Sequence, residues 1–175
     1  MRVLEHRRHS RRDPSGVHLN GEGLALARRV ASTLGGFDRV VTSPKPRAIE
    51  TAEALGFPHP EVRGELGEMP EEVGAGTLGE ILAFRSFGDY LRAAQRSRAA
   101  REYSMGQASF WEEVVRALPE GGRALMISHG GIIEFGAVAA APDAARSWGA
   151  PLSYLEGVRL AWEDGRWSLA ELLRV

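Results

Sequence analysis

Residues 124–141 read ALMISHGGIIEFGAVAAA. Four apolar residues lead to Ser128 and His129, two glycines follow, and a second apolar stretch runs from Ile132 to Ala141. A short apolar run bounded by turn residues marks a strand buried on both faces, and a glycine pair punctuates the chain between elements. The spacing predicts a buried strand over 124–128 and a helix over 132–141. A strand buried on both faces needs helices on both sides of its sheet, so this stretch points to an α/β fold.

The same alternation extends outward. Residues 2–5 are short and β-compatible and lead into the basic run HRRHSRR at 6–12. Asp13-Pro14-Ser15-Gly16 is turn chemistry. Asn20 caps an expected helix over 21–34, with Leu24, Ala27, Ala31 and Leu34 on one face and Gly35-Gly36 as the stop. Arg39 to Thr42 reads as a strand. Ser43-Pro44 reads as a cap and first helical proline, opening a helix to about residue 55. Residues 61–76 form an acidic loop with one short strand. Amphipathic helices are expected over 78–101, where Phe84, Phe87, Tyr90 and Leu91 share a face, and over 107–118. Strands at 151–162 and 167–173 flank Asp164-Gly165, a hairpin signal. The expectation is one three-layer α/β domain over 1–175. Its sheet is mixed and mostly parallel, helices flank both faces, and an antiparallel hairpin ends the chain. Residues 70–118 are a helical insertion or partial lid.

A chain of 175 residues, 43% hydrophobic and 26% charged, suits one domain with one core. A net charge of −1 gives no electrostatic reason to expect nucleic acid or an anionic membrane as partner. No cysteine is present, which excludes disulfides, thiolate nucleophiles and Cys-based zinc sites and fits a cytoplasmic location. The charged N-terminus lacks a signal-peptide apolar run. The stretch 132–142, broken by Glu134, is too short to span a bilayer. Lys45 is the single lysine among 22 basic residues, a compositional bias. His6 reads as structural, His18 and His59 as loop residues, and the basic surroundings of His6 and His9 disfavour a metal ion. Trp111, Trp148, Trp162 and Trp167 read as packing.

Three segments stand at the carboxyl ends of expected strands: Arg8-His9-Ser10, Ser43 to Arg47, and Ser128-His129-Gly130. Ligands of open α/β sheets sit at that end. The residue types suit phosphoryl transfer. A guanidinium holds two phosphate oxygens in a planar fork. A neutral imidazole can attack phosphorus and carry the phosphoryl group. A second imidazole can donate to the equatorial oxygens.

Taken in order, Arg8-His9 and a small residue, the capped Leu19-Asn20-Gly21-Glu22-Gly23, Thr42-Ser43-Pro44 with Arg47-Ala48 and Thr51-Ala52, and Ser128-His129-Gly130 resemble the histidine phosphatase superfamily, the phosphoglycerate mutase-like or "RHG" family. The resemblance covers nearly the whole chain. It implies His9 as nucleophile, Arg8 and Arg47 as phosphate-binding arginines, and His129 as the second pocket histidine, with Ser10 and Gly130 lining the pocket. It places the proton donor in a Leu-x-Glu segment, matched by Leu66-Gly67-Glu68, with Glu65 as the alternative. It implies no metal and no organic cofactor.

Ser10 stands where the family has glycine, and its hydroxyl is expected within reach of phosphate. Arg7 stands where the family is apolar; strand alternation puts Arg7 and His9 on one side and Arg8 on the other unless the backbone twists there, and the direction of Arg7 is not legible. Arg11 and Arg12 are expected to make the mouth strongly positive and to contact substrate. The reading is a cytoplasmic phosphatase acting on a small phosphorylated metabolite or a phosphoprotein. The rivals are mutase-type transfer, for which the chain is short of closing segments, and a non-catalytic phosphate-binding module. Substrate identity and oligomeric state are not legible.

Overall fold

The computed structural model describes residues 1–73 and 84–175. In chain order the elements are β1 (Arg2–Arg8), α1 (Gly21–Ala31), β2 (Arg39–Thr42), α2 (Pro46–Ala54), β3 (Glu61–Val62), a 3-10 turn (Gly64–Leu66), α3 (Phe87–Arg96), α4 (Arg98–Arg116), β4 (Arg123–Ser128), α5 (Ile132–Ala140), α6 (Pro142–Ala145), β5 (Gly157–Glu163) and β6 (Arg166–Leu173). The strands form a sheet in the order β3-β2-β4-β1-β5-β6. The β3-β2, β2-β4 and β4-β1 pairs are parallel, and β1-β5 and β5-β6 are antiparallel. This is the mixed sheet with a terminal hairpin that the alternation predicts; Asp164 and Gly165, both at positive φ, make the turn.

The period of two along β4 explains why both faces are covered. Ala124 and Met126 join a core with Trp111, Val114 and Val115 of α4 and Ile133 and Phe135 of α5. Leu125 and Ile127 join the opposite core with Ala27 and Val30 of α1 and Ala48 and Ala52 of α2. Gly136 brings α5 against α4, since a Cβ there would lie 2.3 Å from the Trp111 ring. Along β1, Glu5 faces away from Leu4 and is fully buried. Its carboxylate accepts from Arg7, Arg123 and Arg159, the pairing a buried charge requires. Among the described residues no helix is long and apolar enough to cross a membrane.

Several boundaries differ from expectation. Of the helix expected over 78–101, residues 78–83 lie outside the described residues, as does part of the expected insertion over 70–118. The remainder is cut at Ser97, whose extended backbone (ψ 128°) ends α3 and whose side chain caps α4 by accepting from Ala100 N. The helix expected from 107 therefore begins at Arg98. Residues 151–156 form a loop before β5 rather than strand. Ser43 is not the cap of α2: Lys45 holds that position and Pro46, not Pro44, opens the helix.

Candidate active site

Parallel registry delivers three segments to one place. Arg8 of β1 pairs with Ser128 of β4, and Thr42 of β2 with Ile127. His9 N and Ser43 N extend these ladders by donating to the Ser128 and Ile127 carbonyls, at 2.9 and 3.0 Å. With β4 between β1 and β2, the residue that leaves its end, His129, must fall between His9 and the start of α2. The His9 and His129 ring centroids are 5.1 Å apart.

Hydrogen bonds fix both imidazole tautomers. The Ser10 carbonyl can only accept, so His9 Nδ1 carries the proton and donates to it at 2.7 Å. The lone pair is on Nε2, where it accepts from Arg47 Nε at 3.2 Å. Arg47 Nη2 donates to His129 Nδ1 at 3.3 Å, so the His129 proton resides on Nε2 and goes to Ser43 Oγ at 2.7 Å. Burial is the main cause that lowers the His9 pKa to about 4, opposed by the Ser10 bond and reinforced by Arg47, Arg8 and Arg12. The His129 pKa falls to about 3, again mainly through burial, then through His9, Arg47 and Lys45. Both rings are therefore neutral at pH 7.

Arg47 is steered by the turn that Asp13 organises. Asp13 accepts from Gly16 N and the Ser15 hydroxyl, Gly16 takes a φ of 77°, and its carbonyl accepts from Arg47 Nη1 at 2.8 Å. Arg8 lies with its guanidinium against Gly130, where a Cβ would come within 3.3 Å of it. One nitrogen, Nη1, donates to the Leu152 carbonyl at 2.7 Å.

Two expectations need correction, the reach of the Ser10 hydroxyl and the alternation of Arg7, Arg8 and His9. Ser10 does not offer its hydroxyl to a ligand, because Oγ donates to the Gly23 carbonyl at 2.7 Å and its backbone N donates to Thr51 Oγ1 at 3.0 Å. Gly23 permits this approach, since a Cβ there would sit 2.0 Å from the Arg11 carbonyl oxygen. Arg7 turns away from the site to Glu5 and the Leu155 carbonyl. The simple alternation of Arg7, Arg8 and His9 fails because β1 ends at Arg8 and His9 lies beyond it. Arg11 forms an exposed pair with the Glu22 carboxylate, and Arg12 acts on His9 and Arg47.

The carboxylates are held outside the quartet. Glu65 is paired with Arg63, which also takes Glu61 and Glu113 and lies over the Phe110 ring, on the α4 side. Glu68 is exposed and accepts from Lys45 Nζ at 2.5 Å. Lys45 holds the Glu68 carboxyl below its usual range. The pair sits at the mouth: Lys45 acts on His129, and Met69, next to Glu68, touches the position a Cβ on Gly131 would occupy.

Three residues at this site were assigned no site role from the sequence: Ser43 read as a helix cap within its strand-end segment, Tyr154 fell in the strand expected over 151–162, and Glu134 in the helix expected over 132–141. Ser43 is fully buried behind His129. The Tyr154 ring lies 4.8 Å from the Arg8 guanidinium carbon and 5.8 Å from the His9 ring. Glu134, in the first turn of α5, is fully buried below Arg8 and accepts two backbone N–H bonds. Ser43 beside Pro44 looks like a helix cap, and no local signal distinguishes the other two. Among the described residues no group of three or more His, Asp or Glu side chains is arranged to hold a metal ion.

Comparison with known proteins gives a consistent picture. The family model of the histidine phosphatase superfamily (branch 1) matches residues 4–173. A search of curated proteins finds no match. Among solved structures, phosphoserine phosphatase from Entamoeba histolytica, in complex with 3-phosphoglyceric acid, is similar over 100% of this chain and 98% of its own, at 17% identity and a TM-score of 0.74. Phosphoglycerate mutase from Bacillus anthracis matches over 95% and 90%, at 14% identity and 0.69. A mycobacterial glucosyl-3-phosphoglycerate phosphatase, in complex with VO3, matches over 99% and 98%, at 20% identity and 0.67. At these identities the likeness is one of fold.

Proposed function

The chain belongs to the histidine phosphatase superfamily, and from that premise we propose that it hydrolyses a phosphomonoester through a phosphohistidine at His9. The observation that carries the reading is the state of His9: neutral, its Nδ1 proton committed to the Ser10 carbonyl, its Nε2 lone pair facing Arg47 with the His129 ring beside it. That is the protonation state a nucleophile needs.

An arriving phosphate dianion draws Arg47 Nε off His9 Nε2 and onto a phosphoryl oxygen, exposing the lone pair. Arg8 offers the nitrogens not used by the Leu152 carbonyl. The dianion's charge also raises the pKa of His129, which takes up a proton on Nδ1 and donates it to an equatorial oxygen while Nε2–H stays on Ser43. His9 Nε2 attacks in line; the N–P bond forms as the P–O bond to the leaving group breaks. The leaving oxygen takes a proton from Glu68, once that carboxyl is released from Lys45 and protonated. Water then attacks phospho-His9 and passes a proton back to Glu68; the O–P bond forms, the N–P bond breaks, and inorganic phosphate leaves. The substrate is a small phosphorylated metabolite or a phosphoprotein, met in the cytoplasm.

The test is turnover of a broad phosphomonoester panel by wild type and His9→Ala, with trapping of radiolabelled phosphoenzyme. Hydrolysis is expected, with an acid-labile, base-stable phosphoenzyme. His9→Ala should lose about 10³-fold or more in kcat while keeping phosphate affinity. Turnover that survives His9→Ala would sink the reading. Transfer between positions of a phosphoglycerate, in place of release to water, would assign mutase chemistry to the same nucleophile.

A further inference from the structure

The loop from Leu152 to Glu156 grips Arg8 from four directions. The Glu156 carbonyl accepts from Arg8 N at 2.9 Å, and Leu155 N donates to the Arg8 carbonyl at 3.1 Å. The Leu152 carbonyl takes Arg8 Nη1, and the Tyr154 ring covers the guanidinium face. Leu155 holds a φ of 60° within this loop, a left-handed conformation disfavoured for a side chain of its size.

The anchor of that loop is Glu134. Oε1 accepts from Leu152 N at 2.9 Å and Oε2 from Gly131 N at 2.6 Å. Gly131 lies two residues past His129, and Leu152 is the residue whose carbonyl holds Arg8. One carboxylate therefore spans two walls of the pocket. Helix capping accounts for only one of these bonds, the reach of the third helical residue back to the N-cap N–H. The other crosses to a separate loop 18 residues away. A fully buried carboxylate is costly unless it is paired, and here two N–H donors and the nearby Arg8 offset the cost.

We propose that Glu134 is a positioning residue of the phosphate pocket: by tying the 152–156 loop to the turn after β4, it sets where the Arg8 guanidinium stands relative to His129. The inference rests on the reading of this pocket as a phosphoryl site and names a further residue that tunes it.

The test is a double-mutant cycle with Glu134→Gln and Arg8→Lys. It is read by kcat and KM on a good substrate, by calorimetric affinity for inorganic phosphate and vanadate, and by the NMR signal of Arg8 Nε–H. Glutamine preserves shape and can still cap, but places an amide where one N–H must be met. Glu134→Gln should lose about tenfold or more in kcat/KM and in vanadate affinity, with a smaller loss for phosphate. In the Arg8→Lys background the same change should lose less than about threefold, and the Arg8 Nε–H signal should broaden or shift in Glu134→Gln. Equal losses in both backgrounds, or an unmoved Arg8 signal, would overturn the inference and leave the phosphatase reading intact. If wild type neither binds phosphate nor turns over, the phosphatase reading fails, and the Arg8 signal still decides the role of Glu134. If Glu134→Gln does not fold, Glu134→Asp, which withdraws the carboxylate by one methylene, enters the same cycle.

Discussion

Acidification from pH 7 to pH 5 should destabilise this protein more than its acidic residues alone would. His6, His9 and His129 are buried, with pKa values lowered from 6.5 to about 3, 4 and 3, in each case mainly because burial disfavours the charged ring. In the unfolded chain all three titrate near 6.5. Between about pH 6.5 and 4 the unfolded state therefore binds up to three more protons than the native state, so stability falls as pH falls through that window. Each histidine loses about 2 kcal/mol between pH 7 and pH 5, about 6 kcal/mol together, against a typical total of about 5–15 kcal/mol. Glu134, whose carboxyl burial pushes up, and the exposed His18, raised by Glu50, act in the opposite sense and reduce the sum. Urea unfolding at pH 5, 6 and 7 measures it through tryptophan fluorescence, since Trp111 is fully buried with its ring 5.1 Å from that of His6. His6→Gln should remove about a third of the pH dependence. A total change under about 1.5 kcal/mol, or a slope that His6→Gln leaves unaltered, would refute the claim that these rings are kept neutral by the fold.

Three further outcomes follow from contacts at the pocket. Tyr154→Leu, which keeps bulk but loses the π face over Arg8, should weaken phosphate binding by about 2- to 30-fold, with Tyr154→Phe within about twofold of wild type; calorimetry separates the three. Glu68→Gln should lower kcat by about 10²- to 10⁴-fold for alkyl phosphates and far less for nitrophenyl phosphate, whose leaving group needs no proton. Lys45→Met removes the cation that holds the Glu68 carboxyl down, so the acid persists to higher pH and the alkaline limb of the kcat profile should move up. An unmoved limb would take Glu68 out of proton transfer.

What could be read from the sequence depended on how local its cause was. The strand at 124–128, the Asn20 cap, the Asp13–Gly16 turn and the terminal hairpin each follow from neighbouring residues, and the structure shows them at those positions. Ser43-Pro44 was open to misreading because its neighbours suit a cap, whereas its hydroxyl is engaged by a histidine 86 residues away. Ser10 differs from a ligand-facing serine only by the Gly23 carbonyl, a tertiary contact. The break at Ser97 lies inside a stretch whose apolar spacing continues on both sides, so periodicity could not find it. Tyr154 and Glu134 carry no motif; their place follows from how β5 returns alongside β1 and from what the loop before it must hold.

The two histidines meet because Arg8 stands opposite Ser128 and Thr42 opposite Ile127. A slip of two residues between β1 and β4 would leave every side chain on its proper face and much of the core buried, yet would carry one ring about 6.6 Å past the other. Such a molecule could melt cooperatively and give an ordinary circular dichroism spectrum while being chemically inert. Specific activity therefore counts correctly aligned chains, and in a refolded preparation it is the stricter measure of nativeness.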